Sequence, residues 1–141
     1  MTGPEREVSD GPVVAGLWAV ALGGALGAGT RLLLSVAWPS TSGAVPWATL
    51  TANLGGCLLL GLLVGWFGLK PSVDRRVRLL LTAGFCGALT TMSTFVVEVL
   101  LMLGDGYHRL AVVYAVVSVV GGVVVLRIGV ALISGSVPIR R

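Results

Sequence analysis

Asn53, Thr90, Thr91, Ser93, Thr94, Glu98, Tyr114 and Ser118 stand inside stretches that are otherwise apolar. Polar groups in such runs are costly unless they pair or face a polar cavity, which makes them functional candidates by default. Most of them offer one kind of chemistry: amide and hydroxyl groups that donate N–H or O–H without carrying a charge. Tyr114 and Ser118 are four positions apart and share a helix face. No nucleophile–base pair, metal-ligand cluster or phosphate loop accompanies them, so the pattern is not that of an enzyme. Quieter roles stay open. Serine and threonine can bond their own helix backbone, Asn53 can clamp two helices, and Tyr114 and Ser118 can simply pack. Glu98 can reach an interface or a partner helix, and Arg31 and Arg127 can snorkel to water from helix ends.

These residues need elements to carry them, and the composition says which. The chain has 141 residues, 55% hydrophobic and 11% charged. A soluble chain carries about 25% charged residues, so lipid must be part of this protein's solvent. A membrane helix needs about 20 mostly apolar residues. Four such runs predict an all-α integral membrane fold, one four-helix domain over 13–136 with spans at about 13–37, 45–69, 77–103 and 110–133. Residues 1–12 read as a disordered cytoplasmic tail and 137–141 as a basic one. The net charge of +4 does not point to nucleic acid, because the basic residues flank hydrophobic runs and set topology there. Cys57 and Cys86 lack metal-type spacing and read as small buried residues, and His108 reads as a solvated loop residue.

Two G-x-x-x-G pairs, Gly23 with Gly27 and Gly61 with Gly65, mark faces where helices approach closely. The third span reads Gly84-Phe85-Cys86-Gly87-Ala88-Leu89-Thr90-Thr91-Met92-Ser93-Thr94-Phe95. Gly87 beside four hydroxyl residues makes a poor uninterrupted helix, so a break near the middle of this span is expected. Carbonyls freed there and turned inward would suit a small hard cation.

Those residues resemble the Fluc/CrcB family of fluoride channels. GFCGALTTMSTF, from Gly84 to Phe95, is similar to the family's third-span string G-F-C-G-G-L-T-T-F-S-T-F. Ala48-Thr49-Leu50-Thr51-Ala52-Asn53 resembles its G-T-L-x-x-N, and Gly24 to Arg31 resembles its G-x-x-G-A-x-x-R. Tyr114 and Ser118 match its Tyr-x-x-x-Ser pair in the fourth span. The resemblance implies an antiparallel dimer with two narrow fluoride pores. It also implies a structural, untransported sodium ion held by the main-chain carbonyls of Gly87 and Thr90. The implied pore residues are Asn53, Met92, Ser93, Thr94, Phe95, Tyr114 and Ser118, with Arg31, Thr49 and Glu98 in a vestibule or supporting role. Phenyl edges are positive and can face an anion. Fluoride would leave the cell passively through the plasma membrane, driven by its gradient and a negative-inside potential.

Two features depart from that pattern. Met92 stands where the family has its second pore phenylalanine and offers no aromatic edge. Arg6, Lys70, Arg75, Arg76, Arg78, Arg127, Arg140 and Arg141 fall on one side of the membrane, and only Arg31 and Arg109 on the other. The positive-inside rule then places both termini in the cytoplasm. A chain that pairs with an inverted copy of itself should be nearly balanced. The bias therefore favours a heterodimer with a related, oppositely biased subunit over a homodimer. A non-conducting structural subunit is the main alternative. A small multidrug-type transporter is a weaker one, because the first span holds no acidic residue.

Overall fold

The computed structural model describes residues 11–135. Helix α1 runs over Gly11–Ala37 and α2 over Trp47–Leu69. The third span, Arg75–Gly104, is segmented. It begins as α3 (Arg75–Leu79), widens into a π-helical stretch (Leu80–Cys86), returns as one turn of α4 (Gly87–Leu89) and resumes as α5 (Met92–Gly104). Helix α6 covers His108–Ser134. The four units are each long and apolar enough to cross a bilayer, and no strand occurs among the described residues. The protein is a multi-pass membrane protein.

All four predicted spans are present, with ends shifted by a few residues. The expected tail at 1–12 falls on residues 1–10, outside the described residues, and on Gly11 and Pro12, which already belong to α1. The expected tail at 137–141 lies outside the described residues.

Trp38, Trp47 and Tyr107 are exposed where α1 ends and where α2 and α6 begin, one end of the bundle. Trp18 and Trp66 are exposed towards the other end. Indole rings favour the two membrane–water interfaces, where one edge is dry and the N–H is wet. The remaining exposed side chains on the spans are largely Leu and Val, as a lipid-facing surface requires.

Packing pairs the first span with the third and the second with the fourth. Glycines make both contacts possible. A Cβ at Gly23 would collide with the Leu80 carbonyl, and one at Gly27 with the Phe85 carbonyl. Gly84 faces them in return, with Gly23 Cα only 2.9 Å from where its own Cβ would stand. On the other seam, Gly61 abuts the Leu126 carbonyl, Gly65 would meet Ile133 at 3.0 Å, and Gly129 faces Leu58 and Leu62 backbone. Both G-x-x-x-G pairs therefore sit at close helix contacts, as their spacing implied. A small core of Leu50, Phe95, Met102, Ala111 and Tyr114 joins α2, α5 and α6.

The connectors are tied as well. Gly43 takes φ +79°, a left-handed conformation that glycine reaches without strain, and lies under the Tyr107 ring. Ser42 donates to the Asp105 carboxylate at 2.6 Å, fastening two loops at that end. At the opposite end Asp74 caps α3 by accepting from Arg76 N–H at 2.6 Å. Arg78 reaches back to donate to the Lys70 carbonyl at 2.8 Å and the Phe67 carbonyl at 3.3 Å, with its guanidinium 4.9 Å from the Phe67 ring centre. It thus satisfies carbonyls left over at the end of α2.

Candidate functional site

The third span breaks at Thr90 and Thr91. Thr90 has ψ 151° and Thr91 has φ −144°, ψ 125°, both extended. Gly87 stays helical at φ −63°, ψ −34°, and the break falls near the middle of the span, as expected. The break falls there because two side chains outbid the helix for its donors. Asn53 accepts from Thr91 N–H at 2.7 Å and donates to the Thr91 carbonyl at 3.0 Å. The Thr91 hydroxyl accepts from Thr94 N–H at 3.2 Å and so caps α5.

That rerouting has a consequence for the carbonyls. In an unbroken helix Thr91 N–H would close on Gly87 and Thr94 N–H on Thr90. Both donors are engaged elsewhere, so the Gly87 and Thr90 carbonyls lose their helical partners. They are the pair that the family resemblance implied for a cation, and uncharged carbonyl oxygens are suitable ligands for an alkali cation. The Thr90 side chain is not available in the same way, since its hydroxyl bonds the Cys86 carbonyl at 3.0 Å.

Two cavities flank the break. The larger, about 410 Å³, is bordered by Asn53, Gly87, Thr90, Thr91, Phe95 and Ser118, with Met92 also on its wall. Met92 is 68% exposed, whereas Phe95 is buried. The Phe95 ring lies 5.4 Å from that of Tyr114, tilted by 51°. The Ser118 hydroxyl is buried and has no hydrogen-bond partner. Asn53 also keeps one amide N–H beyond its two bonds to Thr91. The smaller cavity, about 270 Å³, is bordered by Arg31, Ser35, Thr49, Thr91 and Thr94. Thr91 belongs to both walls.

Glu98 sits below this partition with both oxygens taken. Thr49 donates to Oε1 and the Tyr114 hydroxyl to Oε2, each at 2.7 Å. Thr49 and Tyr114 are themselves buried. The Tyr114 O–H therefore points at a carboxylate, and it reaches the larger cavity's surroundings through its ring contact with Phe95. Ser93 and Thr94 are exposed at the start of α5, both near the Thr91 hydroxyl, at 3.3 and 3.1 Å.

The fold thus gathers Asn53, Gly87, Thr90, Met92, Phe95 and Ser118 on one cavity and Arg31, Thr49 and Thr94 on the other. Thr91 was recognised in the sequence as one of several hydroxyls but not as the residue on which the break turns. Its signal was present: a Thr-x-x-Thr opening onto the apolar run from Phe95 is the pattern of a helix start. The cavity's contacts with Cys57 and Cys86 left no trace in sequence spacing.

Known proteins give this arrangement a context. The family model described as "CrcB-like protein, Camphor Resistance (CrcB)" matches residues 18–130. A protein of Bordetella avium (strain 197N), named fluoride-specific ion channel FluC, is 46% identical over 113 residues, covering 80% of this chain and 88% of that one. Proteins of the same name from Enterobacter sp. (strain 638) and Escherichia coli (strain K12) are 41% and 40% identical over 105 residues, each match covering 74% of this chain and 83% of the relative. The match takes in all four spans and both walls of the broken helix, and the chain belongs to the CrcB family.

Proposed function

We propose that this chain is a subunit of a fluoride-selective channel, in keeping with the names of its relatives. The observation that carries the proposal is the larger cavity at the break. It is an uncharged, largely apolar chamber with a donor fixed before any ion arrives, the spare Asn53 N–H, beside the Phe95 ring and with Ser118 on its wall. A small, strongly hydrated anion loses water's hydrogen bonds on entry, and preset donors replace them at little reorganisation cost. Arg31 on the second cavity would raise the local anion concentration at a mouth of the path.

In this reading Tyr114 and Thr49 are positioning residues that hold Glu98. A bare carboxylate would repel fluoride, and two O–H donors absorb part of its negative charge. The freed Gly87 and Thr90 carbonyls would hold a structural sodium ion, whose field favours anions nearby. The path would be completed by a second subunit of opposite orientation. Charge bias favours a related chain over a second copy, and export would run passively out of the cell with both termini in the cytoplasm.

The test is fluoride efflux from liposomes holding this chain alone, then with candidate partner chains, with chloride as control. Selective efflux from the chain alone supports a conducting homodimer and removes the heterodimer. Efflux only with a partner supports the pair. Absence of efflux in both leaves a non-conducting structural subunit, the reading that an exposed Met92 in place of a phenyl ring favours.

A further inference from the structure

Lys70, Arg75 and Arg76 are exposed at the turn between the second and third spans, and their side chains make no hydrogen bond or ion pair among the described residues. Arg78, by contrast, is spent. Its guanidinium donates to the Val73, Lys70 and Phe67 carbonyls at 3.3, 2.8 and 3.3 Å. Val73 N–H closes on the same Lys70 carbonyl at 3.2 Å, so the stretch from Lys70 to the start of α3 is held as one tight turn. Asp74 is the one carboxylate in it, and its Oδ1 already accepts from the Arg76 N–H. The clasp thus gathers three cations within seven residues against a single acid.

Their depth says what meets them. Trp47 and Trp66 are both exposed on α2. They stand nineteen residues apart, about 28 Å of helix, close to the ~30 Å thickness of a hydrocarbon core. Indole rings mark the two edges of that core. Lys70 lies four residues past Trp66, about 6 Å further along, and so falls in the headgroup layer. Leu69 and Val77 beside the cations are exposed as well, which gives acyl chains an apolar footing. Arginine presents N–H groups in a fork that matches two oxygens of one phosphate, and lysine adds a point charge. Three cations against one acid favour a headgroup with net negative charge over a zwitterion.

We propose that Lys70, Arg75 and Arg76 form a docking site for the phosphate of an anionic phospholipid, held ready by the Arg78 clasp at the end of the second span. The site stands on the loop's own geometry, depth and charge, independent of what the protein conducts.

Full-length protein in detergent, mixed with phosphatidylglycerol or with phosphatidylcholine and followed by native mass spectrometry, tests the site. Phosphatidylglycerol should be retained in preference to phosphatidylcholine. Lys70→Gln, and Arg75→Gln together with Arg76→Gln, should weaken its retention about five-fold per charge removed, about 1 kcal/mol each. Arg109→Gln removes an exposed cation at the opposite end and should leave retention unchanged. The three side chains bond nothing among the described residues, so the variants should unfold at the wild-type temperature, and Lys70→Gln decides alone if the double variant does not fold. Equal retention of the two lipids, or an equal loss in Arg109→Gln, would overturn the site. Displacement of the lipid by inorganic phosphate at the lipid's own concentration would overturn the lipid assignment in favour of a free anion. Retention that appears only after Glu5, Glu7 and Asp10 are changed to their amides would overturn it in favour of the chain's own acidic segment.

Discussion

Asn53 supplies with one side chain the two hydrogen bonds that an unbroken helix would have given Thr91. Removing it leaves a buried N–H and a buried carbonyl without partners, at about 1–3 kcal/mol each. Asn53→Ala should therefore lower the thermal unfolding temperature in detergent and abolish fluoride efflux. Unchanged stability would show that the break is held by Thr91 capping alone. Asn53→Asp separates two roles: it keeps the acceptor for Thr91 N–H, loses the donor and adds a charge facing the cavity. Met92 gives a gain-of-function test. It borders the cavity and is mostly exposed, so a ring there should add an aromatic edge without crowding the core. Met92→Phe should raise fluoride flux, and a flux that does not improve counts against the view that Met92 weakens this pore. Residue types told where polar chemistry lies, because a polar side chain in an apolar run stands out. They could not tell which partner each would choose. Tyr114 and Ser118 share a face, yet the Tyr114 hydroxyl is spent on Glu98 while Ser118 lies on the cavity wall.

The elements were legible because a bilayer imposes length and apolarity, which sequence shows directly. The break near the middle of the third span was legible too, from glycine and clustered hydroxyls, but the residues that hold it open were not. Gly87 has the intrinsic freedom to unwind, whereas the donors that decide the matter come from Asn53 on another helix. The π-helical stretch, against which α1 packs through Gly23 and Gly27, had no sequence signal. Those glycines allow a controlled test. Gly27→Ala drives a methyl group into the Phe85 carbonyl and should destabilise by about 1–3 kcal/mol. Gly24→Ala, three residues away with nothing within 4 Å, should be nearly neutral. Equal effects of the two in thermal unfolding would mean that the α1 seam is not tightly packed.

For the whole molecule, charge sidedness is the property that one chain in isolation cannot display. Arg78 shows that not all basic residues in the second loop are equivalent, because its guanidinium is bound to the end of α2. Arg75 and Arg76 lie beside it at the start of α3. Replacing Arg75 and Arg76 with Gln should weaken the preference for one orientation while leaving the Arg78 clasp intact. Cysteine-accessibility mapping of the termini in cells should then show a mixed population, together with some homodimer conduction. A population that stays uniform would place the topology signal elsewhere. The dimer itself was inferred from motif and charge, as a buried face and a lipid face are composed of the same apolar residues.

The interleaved pairing of the spans, first with third and second with fourth, has a bearing on biogenesis. No span packs chiefly on its neighbour in the chain, so a nascent chain cannot complete its bundle hairpin by hairpin. The first helix waits in the bilayer until the third has emerged from the ribosome, with its glycine face covered only by lipid. The second waits longer, until the last helix is made. Assembly is thus held back to the end of translation, and a chain cut short before α6 would leave the second span without its main seam.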